Sequence, residues 1–222
     1  MRNKDENYQT RHETITINEN DYLIRSLNDR QQFYDHEQRA AALGISSATW
    51  SLFGVVWPAS KMLAATVCMI ELEGKRVLEI GCGIALSSLV LHKMGVDITA
   101  SDYHPLAKEF LDENALTNKL SPINFQTGNW ETENPLLGKY DLIIGSDILY
   151  EPAHPEFVST FINKHSNSNV DVIVVDPNRG NRSDFTKRML ALGYTHHYES
   201  FNLQEPDMAS CKGRILHYQR YH

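Results

Sequence analysis

The 222-residue sequence predicts an α/β protein built on a parallel, doubly wound sheet with helices on both faces, and three observations lead there. Five short apolar runs, KRVLEI, VDITAS, INFQT, YDLIIGS and VDVIVVD, alternate with stretches of helical pattern from Lys75 to Asp176, the signature of βα units covered on both sides. The helical stretches have their own punctuation: Pro58 stands where a first helical turn would begin, one helix is expected from Pro105 and another after Pro155. The end of the chain breaks the alternation. YTHHYESFNL and RILHYQRY follow each other with only a loop between, as an antiparallel pair on the sheet edge would.

Taken in order, residues 1 to about 12 are polar and expected to fray, and ETITI (13–17) alternates like a short strand. Residues 20–43 carry mixed helical character, so residues 1–44 read as a helical N-terminal extension and residues 45–222 as the main domain. Gly44 opens the aromatic-rich GISSATWSLFGVVWP, in which Trp50 reads as core. In PASKMLAATVCMIEL, Ala59, Met62, Leu63, Thr66, Val67 and Ile70 form an amphipathic stripe. The later helices are expected to reach Met94, to start from Pro105, to follow Pro155, and to run from about Arg182 to Leu192.

A net charge of −7 without a long basic run argues against docking on nucleic acid or an anionic membrane. Cys68, Cys82 and Cys211 are too few and too scattered for a disulfide framework or thiolate zinc site. The polar start contains no signal-like apolar segment, and no apolar run approaches a membrane span. A cytoplasmic enzyme is expected. His104, His154 and the His196-His197 pair show no helical His-x-x-x-His spacing; they are expected at surfaces or edges, without a metal.

In open α/β sheets the ligand crevice lies beyond the carboxyl ends of the strands. Those ends read Glu79-Ile80-Gly81-Cys82-Gly83, Ser101-Asp102-Tyr103, Gly128-Asn129-Trp130, Gly145-Ser146-Asp147 with Tyr150 beyond, and Asp176-Pro177-Asn178-Arg179. Gly81 and Gly83 permit a tight turn with close approach to backbone and helix N–H groups, although an isolated G-x-G is more often an ordinary strand-to-helix turn. Asp102, 19 residues after Gly83 and at the next strand tip, is placed to accept ribose hydroxyls. A dinucleotide fingerprint would need glycine at Leu86, and no P-loop motif exists, which leaves a nucleoside without phosphates.

At this point VVWPASKMLA, VLEIGCGIALSSLVL, ASDYHPLAKEFLDENALTN, GNW and YDLIIGSDILYEP together resemble the seven-strand S-adenosylmethionine-dependent methyltransferases, and within them the protein-lysine methyltransferase group, methyltransferase family 16, with its bacterial relatives. The resemblance implies a Rossmann-like sheet of order 3-2-1-4-5-7-6 with the last strand antiparallel, and S-adenosyl-L-methionine as cofactor. It implies that Trp57 lies against the cofactor, that Gly81, Cys82 and Gly83 follow its methionine portion and sugar, and that Glu79 orients the turn or the amino group. It further implies Asp102, with Tyr103 beside it, at the ribose, Asn129 and Trp130 at the adenine, and Ser146 in contact with the cofactor. Asp147 and Tyr150, as D-x-x-Y, would form the acceptor port, Asp147 attracting an ammonium and Tyr150 shaping the aperture.

Two positions depart from the pattern. Ala85 stands where a third glycine is frequent, tolerable if its backbone is already helical, and Asn129 replaces an acid before the tryptophan. Asp141 is expected to begin its strand, and Asp176 to Arg179 read equally as a substrate contact or a strand end. The leading function is N-methylation of a lysine on a protein partner. A small-molecule N-methyltransferase, or a non-catalytic cofactor-binding module, shares every cofactor feature.

Overall fold

The computed structural model describes residues 8–132, 134–203 and 211–221. The chain begins with a hairpin, β1 (Thr10–Ile17) and β2 (Asn20–Leu27), followed by a four-residue helix α1 (Arg39–Ala42) and a 3-10 turn at Trp50–Gly54. Then come α2 (Pro58–Val67), β3 (Arg76–Ile80), α3 (Leu86–Lys93), β4 (Asp97–Asp102), α4 (Ala107–Thr117), β5 (Asn124–Thr127) and β6 (Tyr140–Ser146). The chain continues as α5 (His154–His165), β7 (Ser166–Asp176), α6 (Arg182–Ala191), β8 (Thr195–Leu203) and β9 (Cys211–Arg220).

The main sheet has the order β5-β4-β3-β6-β7-β9-β8. Counted within that sheet this is 3-2-1-4-5-7-6, as expected. β3 pairs in parallel with both β4 and β6, β6 with β7, and the final strand β9 runs antiparallel between β7 and β8. The loop expected between β8 and β9 lies outside the described residues, as do residues 1–7 of the expected frayed start.

Strand alternation divides the core in two. Val77, Leu142, Ile144, Ile173 and Val175 pack with Leu63, Leu89 and Phe110 of α2, α3 and α4. Leu78, Ile80, Ile143, Val172 and Val174 pack with Val158, Phe161 and Phe185 of α5 and α6. Pro58 occupies the first turn of α2, behind an extended Trp57. The helix stops at Val67, so Ile70 of the sequence stripe lies in the following turn. No helix of the described residues is long and apolar enough to cross a membrane.

The N-terminal segment differs from its helical expectation. Residues 20–27 form β2, paired with β1 from Thr10↔Leu27 to Ile17↔Asn20, and the only α-helix in residues 20–43 is α1. Tyr22, Ile24 and Ser26 alternate inward, but Leu23, Ile24 and Leu27 also satisfy helical spacing; the deciding feature is the two-residue turn. Asn18 and Glu19 have φ of 45° and 63°, the positive values a hairpin turn of this length requires. The strand also begins at Thr10, inside the stretch expected to fray.

β2 is fastened to α4 by side-chain amides. Asn118 Oδ1 accepts from the Leu23 N–H at 2.9 Å while its Nδ2 donates to the Leu23 carbonyl at 2.8 Å. One turn earlier, Asn114 repeats the pattern with Arg25 at 2.7 and 3.2 Å. The Arg25 guanidinium then lies 4.3 Å from the Phe110 ring centroid and 3.0 Å from Glu113.

Candidate functional site

The crevice opens where the chain order of the sheet reverses, at the carboxyl ends of β3 and β6, with β4 beside β3 and β7 beside β6. A cleft of about 840 Å³ lies there. Trp57, Gly81, Cys82, Gly83, Asp102, Tyr103, Asn129, Trp130, Ser146, Asp147 and Tyr150 all line it; Glu79 does not.

The β3–α3 turn is held from beneath. Glu79 is 2% exposed, and its Oε2 accepts from the Ser88 N–H at 2.8 Å and from the Ser88 hydroxyl. It satisfies an N–H of the first turn of α3, which has no side-chain cap of its own. Burial pushes its carboxyl up to about 7 despite these bonds. Of the two roles expected for Glu79, the turn is the one its contacts serve.

Gly81 and Gly83 have φ of 58° and 55°. A Cβ on Gly81 would lie 3.0 Å from Ile148 and Trp130, and one on Gly83 would lie 2.7 Å from the Phe53 carbonyl oxygen. The chain itself thus makes a close approach that only glycine allows here. Ala85 is not in helical backbone: at φ 59° and ψ 42° it is a left-handed N-cap residue. An L-residue there carries about 1–2 kcal/mol of strain. The missing glycine is therefore a cost in stability.

Asp102 is fixed by three backbone donors: Gly83 N–H to Oδ2 at 2.8 Å, and Tyr103 and His104 N–H to Oδ1 at 2.7 and 2.8 Å. Burial raises its pKa, and these bonds oppose the rise. With roughly four lone-pair directions on a carboxylate, the free acceptor direction is on Oδ2. Burial, then Asp102, also pushes the Cys82 thiol well up.

Trp57 donates its indole N–H to the Leu52 carbonyl at 2.9 Å, and the Arg30 guanidinium lies 4.9 Å from its ring centroid. The Tyr103 hydroxyl donates to the Leu43 carbonyl and ties the segment before α2 to the tip of β4. Asn129 Oδ1 accepts from the Glu131 N–H at 2.9 Å, which turns its NH₂ into the group available to a ring nitrogen.

On the other side, Asp147 sits at φ 54° and extends the β6–β7 ladder, donating its N–H to Val175 O at 2.8 Å. Both its carboxylate oxygens are taken by Arg179, from Nε and Nη2, each at 2.8 Å. The sequence left Arg179 undecided; the structure brings it into the site.

His154 and His104 also differ from their surface expectation. His154 donates from Nδ1 to the Ile148 carbonyl and packs edge-to-face with Tyr150 at 4.4 Å and Trp130 at 5.1 Å. Burial lowers its pKa, and burial with nearby acids pushes Tyr150 up to about 12. His104 is buried, stacks on Phe53 at 3.7 Å, and is held neutral with a pKa of about 3. On β8, His196 stacks on Tyr218 and His197 on His217.

Fold and site together define a Rossmann-like enzyme scaffold of the S-adenosylmethionine methyltransferase type. Solved structures share it: magnesium protoporphyrin IX methyltransferase from Synechocystis PCC 6803, with bound SAM, has a TM-score of 0.57 at 18% identity, covering 85% of this chain and 86% of that one. Precorrin-6y C5,15-methyltransferase from Geobacter metallireducens GS-15 has a TM-score of 0.60 at 12% identity, covering 72% and 87%. The chain belongs to the lysine methyltransferase family, whose model matches residues 41–191. It is 33% identical over 141 residues to protein N-lysine methyltransferase METTL21A of Danio rerio, covering 58% of this chain and 63% of that protein. It is 32% identical over 105 residues to histone-arginine methyltransferase METTL23 of Rattus norvegicus, covering 44% and 46%. The chain thus spans about three fifths or less of the lengths of these two relatives.

Proposed function

We propose that this chain is an S-adenosyl-L-methionine-dependent N-methyltransferase whose acceptor is a lysine side chain on a protein, with residues 45–222 as the methyltransferase domain and residues 1–44 as an N-terminal extension. The observation that carries the reading is the juxtaposition of two carboxylates in one cleft: Asp102 beside the glycine turn and Asp147 beside Tyr150. Asp102 Oδ2 takes a ribose hydroxyl, the turn of Gly81, Cys82 and Gly83 follows the sugar and methionine portion, and Trp57, Tyr103 and Ser146 wall the cofactor. Trp130 borders the adenine while the Asn129 NH₂ donates to a ring nitrogen. Glu79 acts from beneath by holding the turn.

When bound, the cofactor supplies an electrophilic methyl carbon: the lysine ammonium first gives one proton to solvent, the amine lone pair forms the N–C bond, the C–S bond breaks with its electron pair remaining on sulfur, and the product is the methylated ammonium. The chain's task is to hold the amine in line at contact distance. Asp147 accepts an acceptor N–H, and Tyr150 with His154 shapes the aperture. Glu131 and Glu151 also line the cleft, which favours approach of a basic protein segment over an acidic one.

No disulfide joins Cys68, Cys82 or Cys211 among the described residues, which supports a reducing, cytoplasmic setting. The test is incubation of the purified chain with radiolabelled cofactor and a cell extract, followed by mass spectrometry of labelled proteins. Label on lysine is expected; label confined to small molecules would sink the protein-acceptor reading.

A further inference from the structure

The acceptor carboxylate is already engaged. Asp147, with its side chain 11% exposed, is gripped through both oxygens by Arg179, whose own side chain is 44% exposed. An arginine stays charged throughout the working pH range and fits a carboxylate as a planar fork, so the pair has a constant net charge of zero. Each oxygen keeps a lone-pair direction for a further donor.

This matters because methyl transfer needs an amine without its extra proton. An isolated carboxylate would bind the ammonium and raise its pKa, favouring the form that cannot attack. A donor bonded to an Asp147 oxygen that Arg179 also bonds lies within about 6 Å of the guanidinium, the sum of two hydrogen-bond lengths. A positive charge at that range lowers an amine pKa.

We propose that Arg179 is a positioning residue for the acceptor: by clamping both Asp147 oxygens and offsetting their charge, it makes the port take up the amine in its neutral form. The proton has left to bulk water before the amine docks. This rests on the reading of Asp147 as the acceptor port.

Other ionisable groups face the pair from every neighbouring element. Tyr150 and Glu151 share the loop with Asp147, and His154 opens α5. Asp102 and Tyr103 stand at the β4 tip and Glu131 follows β5. Asp176 and Arg182 flank Arg179, and Cys211 begins β9. Glu79, which titrates near 7 under the turn, affects the wild type and Arg179 variants alike.

The test uses the purified full chain, radiolabelled S-adenosyl-L-methionine, and protein extract from cells lacking this chain as the acceptor pool at saturating concentration, where the pH profile reports the amine in the port. Initial labelling rates are read across neutral to alkaline pH. In Arg179→Gln the rising limb is expected to move up by about one pH unit, with roughly a tenfold lower rate near neutrality. Calorimetric affinity for S-adenosylhomocysteine should stay within about twofold. Arg179→Lys, which keeps a positive charge but not the fork, should hold the limb near its wild-type position at a reduced rate. Adding Asp147→Asn to Arg179→Gln makes the port neutral again and should return the limb towards wild type, however slow the enzyme. A limb that Arg179→Gln leaves in place, or a faster Arg179→Gln enzyme near neutrality, overturns the proposal. A wild type that binds S-adenosylhomocysteine yet labels no protein overturns the acceptor reading instead, and the proposal with it.

Discussion

The two carboxylates of the cleft are held in opposite ways. Asp102 is bonded by three backbone N–H groups from the β3–α3 turn and the residues after β4, so its position is a property of the fold. Asp147 is bonded by the side chain of Arg179 from the tip of a different strand, so its electrostatics depend on one replaceable residue. The difference teaches where constancy and adaptability reside: the carboxylate proposed for the cofactor is held by main chain, and the one proposed for the acceptor is held by a side chain.

The largest break in that comparison is expected at Asp102. In Asp102→Asn an amide NH₂ must face at least one backbone N–H, and charge-assisted bonds become neutral, a loss of about 3–5 kcal/mol in all. S-adenosylhomocysteine binding should weaken hundredfold or more by calorimetry, with a lower Tm. An unchanged affinity would remove Asp102 from the cofactor site.

Next is Glu79, beneath the same turn. Its carboxyl titrates at about 7 when folded against an ordinary 4.5, so between those values the folded state keeps a proton that the unfolded chain releases. Stability from this group is full below about 4.5 and declines as pH rises towards 7. Glu79→Gln keeps an acceptor for Ser88 and should remove that decline, on the order of 3 kcal/mol between acid and alkaline buffers. Denaturant melts of both proteins at several pH values would reveal parallel curves if the assignment is wrong.

Asp147→Asn tests the acceptor side. Asparagine tolerates the left-handed backbone, but the charge-assisted contacts are lost, about 2 kcal/mol or thirtyfold in kcat/KM, while S-adenosylhomocysteine affinity stays within about twofold. Equal losses in both quantities would erase the distinction between the two sides. The smallest effect belongs to Ala85→Gly, which relieves left-handed strain but frees the unfolded chain. A net gain of about 1 kcal/mol or less, roughly 2–4 °C in Tm per kcal/mol, is expected in thermal melts.

Much of the cleft's lining on the β3–β4 side was legible because it depends on local spacing. Strand runs, the Gly81–Gly83 turn and the acid after β4 are features of short windows, and the sheet order followed from the family resemblance. What escaped lies in tertiary contacts. Arg179 reaches Asp147 across 32 residues, a pairing no window contains. His154 and His104 were expected at surfaces because a histidine's neighbours in sequence say little about the aromatic rings it packs on. Ala85 is alanine, the residue most at home in a helix, so nothing local announced its left-handed turn. The hairpin was missed because Asn-Glu is a weaker turn signal than Asn-Gly.

The two asparagines of α4 have a further effect. By bonding both the N–H and carbonyl of Leu23 and of Arg25, they occupy the edge of β2 that another strand could otherwise join. Amide hydrogens at these two positions should exchange with solvent only when the helix lets go, so isotope exchange at Leu23 and Arg25 would report the opening of α4 rather than the fraying of a two-stranded ribbon.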